Sequence, residues 1–430
     1  MLDTVLATQL IILVFVMGYF AIIFEYNIKV NKTASALLMA VITWVFVFLA
    51  QGHNVTKEIT VLGEHLNNIS QIIYFLLGAM TLVELVDCHR GFKVITDLIQ
   101  TNSKKKMLWI IGFVSFFLSA ILDNLTTTIV MVSLLRKLVP DKQDRLFLGA
   151  TVVIAANAGG AWTPIGDVTT TMLWINGNLS TVSVMKALFI PSFVSLIVAL
   201  IFLGFGLKGS YPHLVDKAQE GAPEPGGKFI FYCGIGALIF VPIFKALTGL
   251  PPFMGMLIAL GSLWLITDIM HHPYQGREHL RVPQILTRID ISGVLFFLGI
   301  LLCIAALESV GLLTALATFL DVHVHNLPLI ATIIGLISAV VDNVPLVAAC
   351  MGMYDLQTYP MDSSIWQLIA YCAGTGGSIL IVGSAAGVAL MGLEKVDFLW
   401  YFKKISWVAL LSYLSGVVVY MLQTQVLARI

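Results

Sequence analysis

The sequence SAILDN at residues 119–124 returns as SAVVDN at residues 338–343. Four of the six positions are identical, and the two that differ are apolar in both copies. A glycine pair follows each copy at a similar distance: residues 159–160 begin 36 residues after the first aspartate, and residues 376–377 begin 34 residues after the second. The chain is therefore an internal duplication, and each half places an aspartate and an asparagine inside an apolar run.

The composition predicts a membrane protein. Of the 430 residues, 58% are hydrophobic and only 11% are charged, whereas soluble domains carry about 25% charged residues. Many apolar runs reach the length of about 18 residues that crosses a bilayer as a helix. The net charge of zero gives no support to a nucleic-acid partner, and the five cysteines form no CxxC pair. We therefore expect no disulfide framework and no cofactor.

Twelve apolar segments alternate with loops that carry most of the lysines and arginines. Placing these loops in the cytoplasm puts 20 of the 24 basic residues inside. The assignment predicts an all-α polytopic protein with about ten full crossings, two re-entrant hairpins and both termini outside. We interpret residues 5–25 as a retained helix, because no basic n-region precedes them. The segments lie near residues 5–25, 33–51, 69–87, 107–138, 146–175, 187–207, 229–248, 253–270, 290–311, 328–354, 365–393 and 399–423.

Two of these segments are predicted to be re-entrant. Residues 107–138 have basic residues on both flanks, and 32 residues are too few for two crossings of about 20 residues each. They are predicted to form a hairpin with Asp123 at its tip. Residues 328–354 have no lysine or arginine on either flank, and they are predicted to enter from the opposite face with Asp342 at the tip.

The duplication predicts two repeats of opposite orientation, each with a hairpin and a broken helix. Glycines and Pro164 should interrupt the helix at 146–175, and further glycines the helix at 365–393. Inverted repeats with discontinuous helices are typical of secondary transporters, whose substrate site lies near the bilayer midplane. The predicted division is a first helix at 1–32, repeat 1 at 33–208, a linker and connecting helix at 209–252, and repeat 2 at 253–430.

Five carboxylates fall inside membrane segments, three or more residues from either end: Glu84, Asp123, Asp167, Glu308 and Asp342. An ionised acid at the bilayer centre costs roughly 3 kcal/mol, so each should hold either a proton or a cation. A carboxylate that holds one or the other, but not both, is an antiport mechanism in outline. Neutral oxygens suited to a hard cation are also present, whereas the arginine expected for an anion is missing at this depth. They belong to Asn124, Asn157, Asn343, Thr126, Thr127, Thr128, Thr169, Thr170, Ser378 and Ser384.

Three motifs carry a resemblance to a known family: LDNLTT at 122–127, NAGG at 157–160 continuing to TPIGDVTT at 163–170, and VDNVP at 341–345. At these residues the chain resembles the NhaD-type sodium/proton antiporters of the ion transporter superfamily, over essentially its whole length. The resemblance implies exchange of cytoplasmic Na⁺ or Li⁺ for external H⁺, and a homodimer. It also implies a transport-critical set of Asp123, Asn124, Asn157, Asp167, Thr169, Thr170, Asp342 and Asn343.

Within that set, we expect Na⁺ and H⁺ to compete for Asp123 and Asp342, with Asp167 tuning or sharing the site. Thr126, Thr127, Ser378 and Ser384 are further candidates, together with Glu84 and Glu308. The predicted partners are Na⁺, Li⁺, H⁺ and the lipid bilayer. The lack of a targeting peptide favours a bacterial inner membrane.

Several alternatives stay open at this point. The three aspartates could serve as helix N-caps, and the two glutamates could make interhelical hydrogen bonds. A sodium-coupled organic anion carrier of the same superfamily is the main functional rival, although relatives of that kind have serine at the positions of Asp123 and Asp342. An intramembrane aspartyl protease is a second rival, and a passive channel is a third.

Overall fold

The computed structural model describes residues 4–23, 25–50, 55–96, 101–205, 207, 209–211, 224–274, 276–324, 326–340 and 343–427. Apart from one isolated bridge and one 3₁₀ turn, the regular structure in these ranges is α-helical. The helices are α1 Thr4–Ile23, α2 Glu25–Ile28, α3 Lys32–Ala50, α4 Val55–Cys88, α5 Lys93–Thr96, α6 Lys104–Leu122, α7 Asn124–Leu138, α8 Lys142–Gly160, α9 Val168–Ile175, α10 Thr181–Gly204, α11 Gly227–Thr248, α12 Pro252–His271, α13 Val282–Ile285, α14 Ile291–Ser309, α15 Leu312–Val324, α16 Leu327–Ile337, α17 Asn343–Met353, α18 Ser364–Gly376, α19 Ala385–Glu394, α20 Phe398–Lys404 and α21 Ser406–Leu427.

Many of these helices are long and apolar enough to cross a membrane. Within the described ranges nine pass by length and composition, or ten if the bent pair α15–α16 counts as one span. The predicted all-α polytopic fold is thus confirmed. The nine helices are not all the ones that the sequence predicts to cross the membrane. The helix α6 alone is long enough to cross, and the broken helices are not among the nine. In addition, α4 begins at Val55 rather than near residue 69, and α15 lies where no segment was predicted.

Polar residues start several helices at the ends of the bundle. Asp141, Asp290, Asn326 and Asp397 each accept a hydrogen bond from the backbone N–H three residues further on, at 2.8 to 3.1 Å. Such N-caps satisfy one of the amides that a helix start leaves unpaired. They explain why short polar residues stand immediately before apolar runs in this chain.

The first duplicated stretch forms a junction between two helices. α6 ends at Leu122, α7 begins at Asn124, and both helices pack against each other and against α8. Asp123 is the single residue between them, and its φ of +94° is rarely adopted by a side-chain-bearing residue. In the second stretch α16 ends at Ile337 and α17 begins at Asn343. The predicted tip Asp342 lies outside the described residues, and the re-entrant path of both stretches stays a prediction.

Both helix breaks that the sequence predicts are present. Residues 161–167 separate α8 from α9, and residues 377–384 separate α18 from α19. Each break is braced by the serine of the neighbouring duplicated stretch: Ser119 Oγ donates to Ala156 O at 2.7 Å, and Ser338 Oγ donates to Ala373 O at 2.8 Å. The duplication in the sequence is therefore matched by a duplicated set of contacts.

Glycine is required at the breaks because other backbone approaches closely there. A Cβ on Gly159 would stand 2.1 Å from Phe116 O, and a Cβ on Gly376 would stand 2.0 Å from Gly335 O. Both distances are far below van der Waals contact, so no side chain fits without a backbone shift. The glycine pairs thus let α8 and α18 pack tightly against α6 and α16, respectively.

The two halves are joined at one end by a buried carboxylate. Glu394, at the end of α19, accepts from Arg136 Nε at 2.7 Å and from Arg145 Nε at 3.3 Å. Only 4% of its side chain is exposed. A buried carboxylate needs such partners, and here they come from α7 and α8 in the first half of the chain.

Candidate functional site

Asp167 forms the start of α9, directly after the first helix break. Its Oδ1 accepts from the backbone N–H of Thr169 at 3.0 Å and from Thr169 Oγ1 at 2.9 Å. Thr170 Oγ1 donates to the backbone carbonyl of Asp167 at 2.9 Å. All three residues are buried. The N-cap interpretation of Asp167 is correct, but the cap uses Oδ1 only and leaves Oδ2 to other partners.

A network of amides and hydroxyls continues from Oδ2. Asn124 Nδ2 donates to Asp167 Oδ2 at 2.8 Å and to Asn157 Oδ1 at 2.9 Å. Asn157 Nδ2 in turn donates to Ser378 Oγ at 2.8 Å and to Ser384 Oγ at 2.9 Å. Each of the five side chains is no more than 3% exposed. Buried polar networks of this kind are rigid because every unpaired group would be costly.

This network joins the two halves of the chain. Asn124, Asn157 and Asp167 come from the first half, whereas Ser378 and Ser384 lie in the break of the second half. Ser384 also caps α19, accepting from Gly387 N at 3.2 Å. The two helix breaks therefore meet at one place, deep inside the protein.

A close approach at Gly374 supports the same conclusion. A Cβ built on Gly374 of α18 would stand 3.5 Å from Asp167 Oδ2. The carboxylate of the first repeat thus faces the backbone of the second. Because Gly374 has no side chain, space remains beside this oxygen.

Asp123 is held at the junction of α6 and α7. Its Oδ1 accepts from Thr126 N at 2.7 Å, and its Oδ2 accepts from Thr126 Oγ1 at 3.0 Å. Its side chain therefore caps α7, as the alternative interpretation predicts. The residue is only partly buried, whereas the adjoining Asn124 is 3% exposed. The junction places one aspartate at an accessible position directly beside the buried network.

Three other predicted residues lie on α7 and α17. Thr127 and Thr128 follow on α7, both fully buried, and their hydroxyls have no hydrogen-bond partner among the described residues. Asn343 is buried at the start of α17. Its neighbour Asp342 lies outside the described residues, so the structure gives no position for the second predicted Na⁺ ligand.

The two glutamates have other surroundings. Glu84 is near the end of α4, where Cys88 Sγ lies 3.5 Å from its Oε1 and Arg288 contacts the same sulfur at 3.0 Å. Glu308 is exposed near the end of α14 and lines a cavity with His65 of α4. In the described residues, no hydrogen bond joins either glutamate to the network of Asn124 and Asn157. Their direct participation in the central site stays a prediction without structural support.

Sequence reasoning missed several residues that hold the site. Tyr401 of α20 is fully buried and donates to Ser378 O at 2.9 Å. Thr163 Oγ1 donates to Ala120 O at 2.7 Å and thus fastens the first break to α6. The two bracing serines were visible as the first letters of the duplicated stretch, whereas no pattern in the sequence pointed to Tyr401.

The chain matches known membrane transporters along most of its length. A family model described as "Citrate transporter" matches residues 19–374. Sodium/proton antiporter 1 of Arabidopsis thaliana is 56% identical over 413 residues, which is 95% of this chain and 71% of that protein. Sodium/proton antiporter 2 of the same plant is 52% identical over 95% of this chain and 98% of its own length. The Na(+)/H(+) antiporter NhaD of Alkalimonas amylolytica is 29% identical over 95% of this chain and 89% of its own length.

These matches agree with the helical bundle, the paired breaks and the buried carboxylate network, which together define a secondary transporter of the membrane. The chain belongs to the citrate-transporter family, among the NhaD-type sodium/proton antiporters. The sequence resemblance at the two aspartate stretches is thereby confirmed at the level of the family.

Proposed function

We propose that the protein exchanges Na⁺ or Li⁺ for H⁺ across a membrane. The observation that carries the proposal is the buried network that joins Asp167 to Asn124, Asn157 and the two serines of the second break. The network presents one carboxylate together with amide and hydroxyl oxygens. Hard monovalent and divalent cations prefer oxygen ligands of these kinds. The sodium/proton antiporters to which the chain is similar are named for the exchange of Na⁺ and H⁺.

We assign competition between Na⁺ and H⁺ to Asp123 first, with Asp342 as its counterpart in the second repeat. Both oxygens of Asp123 accept hydrogen bonds from Thr126, which hold the carboxylate in a fixed position for a cation. When the cation leaves, a proton restores neutrality, because an uncompensated acid in the membrane is costly. The two ions then cannot occupy the carboxylate together, and this coupling makes the exchange obligatory.

Asp167 has a different role in this proposal. Its carboxylate accepts hydrogen bonds from the backbone N–H and hydroxyl of Thr169 and from the side chain of Asn124. These donors hold the carboxylate in one orientation beside Asn124. We therefore assign Asp167 the task of tuning or sharing the site and of orienting Asn124 toward the cation.

The remaining features of the function stay proposals. We place the chain in a bacterial inner membrane as a homodimer, with its basic loops in the cytoplasm and both termini outside. The organic anion carrier remains a rival because the matching family model is described as a citrate transporter. In the site described above, however, the hydrogen-bond partners are acids, amides, hydroxyls and backbone groups rather than the arginine or lysine that recognises a carboxylate substrate.

The test is cation-driven collapse of a pH gradient in everted vesicles or proteoliposomes. NaCl, LiCl, KCl and sodium citrate are added in turn between about pH 7 and 9.5. We expect Na⁺ and Li⁺ to collapse the gradient in the wild type and to fail in Asp123→Asn and Asp342→Asn. Asparagine caps a helix about as well as aspartate, so the Asp123→Asn protein should fold and should lose only the charge.

Asp141→Asn is the matched control. Asp141 also caps a helix, α8, but it is exposed at the surface. If Asp123→Asn leaves exchange intact, as Asp141→Asn should, Asp123 is only a helix cap and the site assignment fails. If citrate, but not NaCl, produces a response in the wild type, the organic anion carrier replaces the antiporter.

A further inference from the structure

A cavity with both polar and apolar lining residues lies between α4, α9, α14 and α17. Its volume is about 180 Å³. His65 and Asn68 of α4 line one side, and Asn176 lines another at the end of α9. Glu308 supplies a carboxylate from the end of α14. We call this cavity the Glu308 chamber.

The carboxylate of Glu308 lies close to the backbone of α17. Its Oε2 lies 3.2 Å from the position that a Cβ would take at Gly352. The residue is exposed, as are Asn68 and Asn176. Asn176 Nδ2 donates to Asn178 Oδ1 at 2.9 Å, which fixes the orientation of its amide. An exposed carboxylate with amides around it is a suitable binding place for a hydrated or partly hydrated cation.

The chamber lies further along two helices whose starts hold predicted site residues. Met172 of α9 and Ala348 of α17 form part of its lining. Met172 lies five residues after Asp167, and Ala348 lies five residues after Asn343. At 1.5 Å per residue, each distance is about 7.5 Å along the helix axis. The helices that begin at Asp167, a member of the central network, and at Asn343, a predicted site residue, therefore carry part of the chamber wall about one and a half turns further on.

We propose that the Glu308 chamber binds the transported monovalent cation, Na⁺ or Li⁺, on its path between the surrounding water and the central site. The inference rests on the proposed function, because the identity of the bound ion is taken from the proposed Na⁺(Li⁺)/H⁺ exchange. The positive-inside assignment places this face on the outside, where the cation is released and the proton enters. Glu308 acts as the binding residue, and the amides around it hold the water that the ion keeps.

The test measures cation binding in the chamber without relying on transport. Asn68→Cys places a thiol in the lining, and a membrane-impermeant maleimide is added at about pH 7. The thiolate is the reacting species, and the negative charge of Glu308 disfavours it. Bound Na⁺ cancels that charge, so NaCl should accelerate labelling of Asn68→Cys about threefold or more over choline chloride at equal ionic strength. The wild type measures the background from the native cysteines, of which only Cys88 and Cys233 are not fully buried.

Two further variants decide the result. In Asn68→Cys with Glu308→Gln, labelling should be fast in choline already and should not respond to NaCl. In Asn68→Cys with Glu64→Gln, labelling should respond as in Asn68→Cys alone, because Glu64 is an exposed acid on the same helix outside the chamber lining. Equal NaCl responses in all three proteins, or no response in any, would overturn the inference.

Failure of the inference and failure of the proposed function are distinguishable. The pH-gradient assay on the wild type tests exchange alone. A wild type that exchanges Na⁺ for H⁺ without a Glu308-dependent labelling response retains the function and loses the chamber as a cation site. The response should also persist in an Asp123→Asn background, since the added Na⁺ enters the chamber from the surrounding water without passing the central site.

Discussion

Replacing Asn157 with alanine should destabilise the protein by about 3 kcal/mol, because one side chain joins the two halves. The substitution removes three buried hydrogen bonds, one accepted from Asn124 and two donated to Ser378 and Ser384. A typical intramolecular hydrogen bond contributes about 1 kcal/mol net, which gives the figure of about 3. The partners left unpaired are buried as well, so the loss of stability should be at least this large.

A double-mutant cycle measures the contact between the halves directly. Unfolding is followed by tryptophan fluorescence in mixed micelles for the wild type, Asn157→Ala, Ser378→Ala and the double variant. We expect a coupling free energy of about 1 kcal/mol between Asn157 and Ser378. Additive effects, with no coupling, would refute the network as a tie between the repeats. Asn157→Ala should also weaken the response to Na⁺, because Asn124 loses the partner that orients it toward Asp167.

Two further predictions concern the glycines and a histidine pair. Gly159→Ala should lower the thermal midpoint of unfolding sharply, because the added Cβ would stand 2.1 Å from Phe116 O. In Gly374→Ala the added Cβ would stand no closer than 3.5 Å to its neighbours, so this variant should fold normally but show weaker Na⁺-driven exchange. Equal thermal midpoints for the two variants would contradict the packing argument. His89 lies just after α4, its Nε2 is 2.9 Å from His271 Nε2, and burial lowers the pKa of His89 below its usual value. The unfolded chain then binds more protons, so stability should be full above about pH 6.5 and should fall as the pH drops below it. A His89→Gln variant should show a flatter dependence of the thermal midpoint between pH 8 and 5, and an unchanged slope would exclude His89 as the cause.

The sequence was most informative where the backbone itself imposes a requirement. The glycine pairs at 159–160 and 376–377 had to be small because carbonyl oxygens lie about 2 Å from the position of a side chain. The helix breaks could therefore be predicted from glycine and proline alone. The aspartate of the first stretch was likewise predictable as a special position, and its φ of +94° shows why an ordinary helix could not continue there.

Other features depended on tertiary contacts that a single sequence does not encode. Glu84 and Asp167 look equivalent in the sequence, since both are acids in apolar segments. The structure separates them, because Asp167 meets Asn124 whereas Glu84 meets Cys88. The length argument for residues 107–138 was also incomplete, since the helix begins earlier, at Lys104, and α6 alone reaches spanning length. A count of apolar residues does not show how far a helix continues into its polar flank.

The duplication is symmetric in its backbone and asymmetric in its chemistry, and this difference matters for the mechanism. Ser119 and Ser338 make the same bond to the neighbouring helix, at 2.7 and 2.8 Å. At the helix that resumes after each break, however, the first half has Asp167 as its cap and the second half has Ser384. The carboxyl group thus comes from one repeat, while the other contributes neutral hydroxyls. On the proposed function, exchange at Asp123 and at Asp342 should therefore differ in cation affinity even though their sequence surroundings are nearly the same.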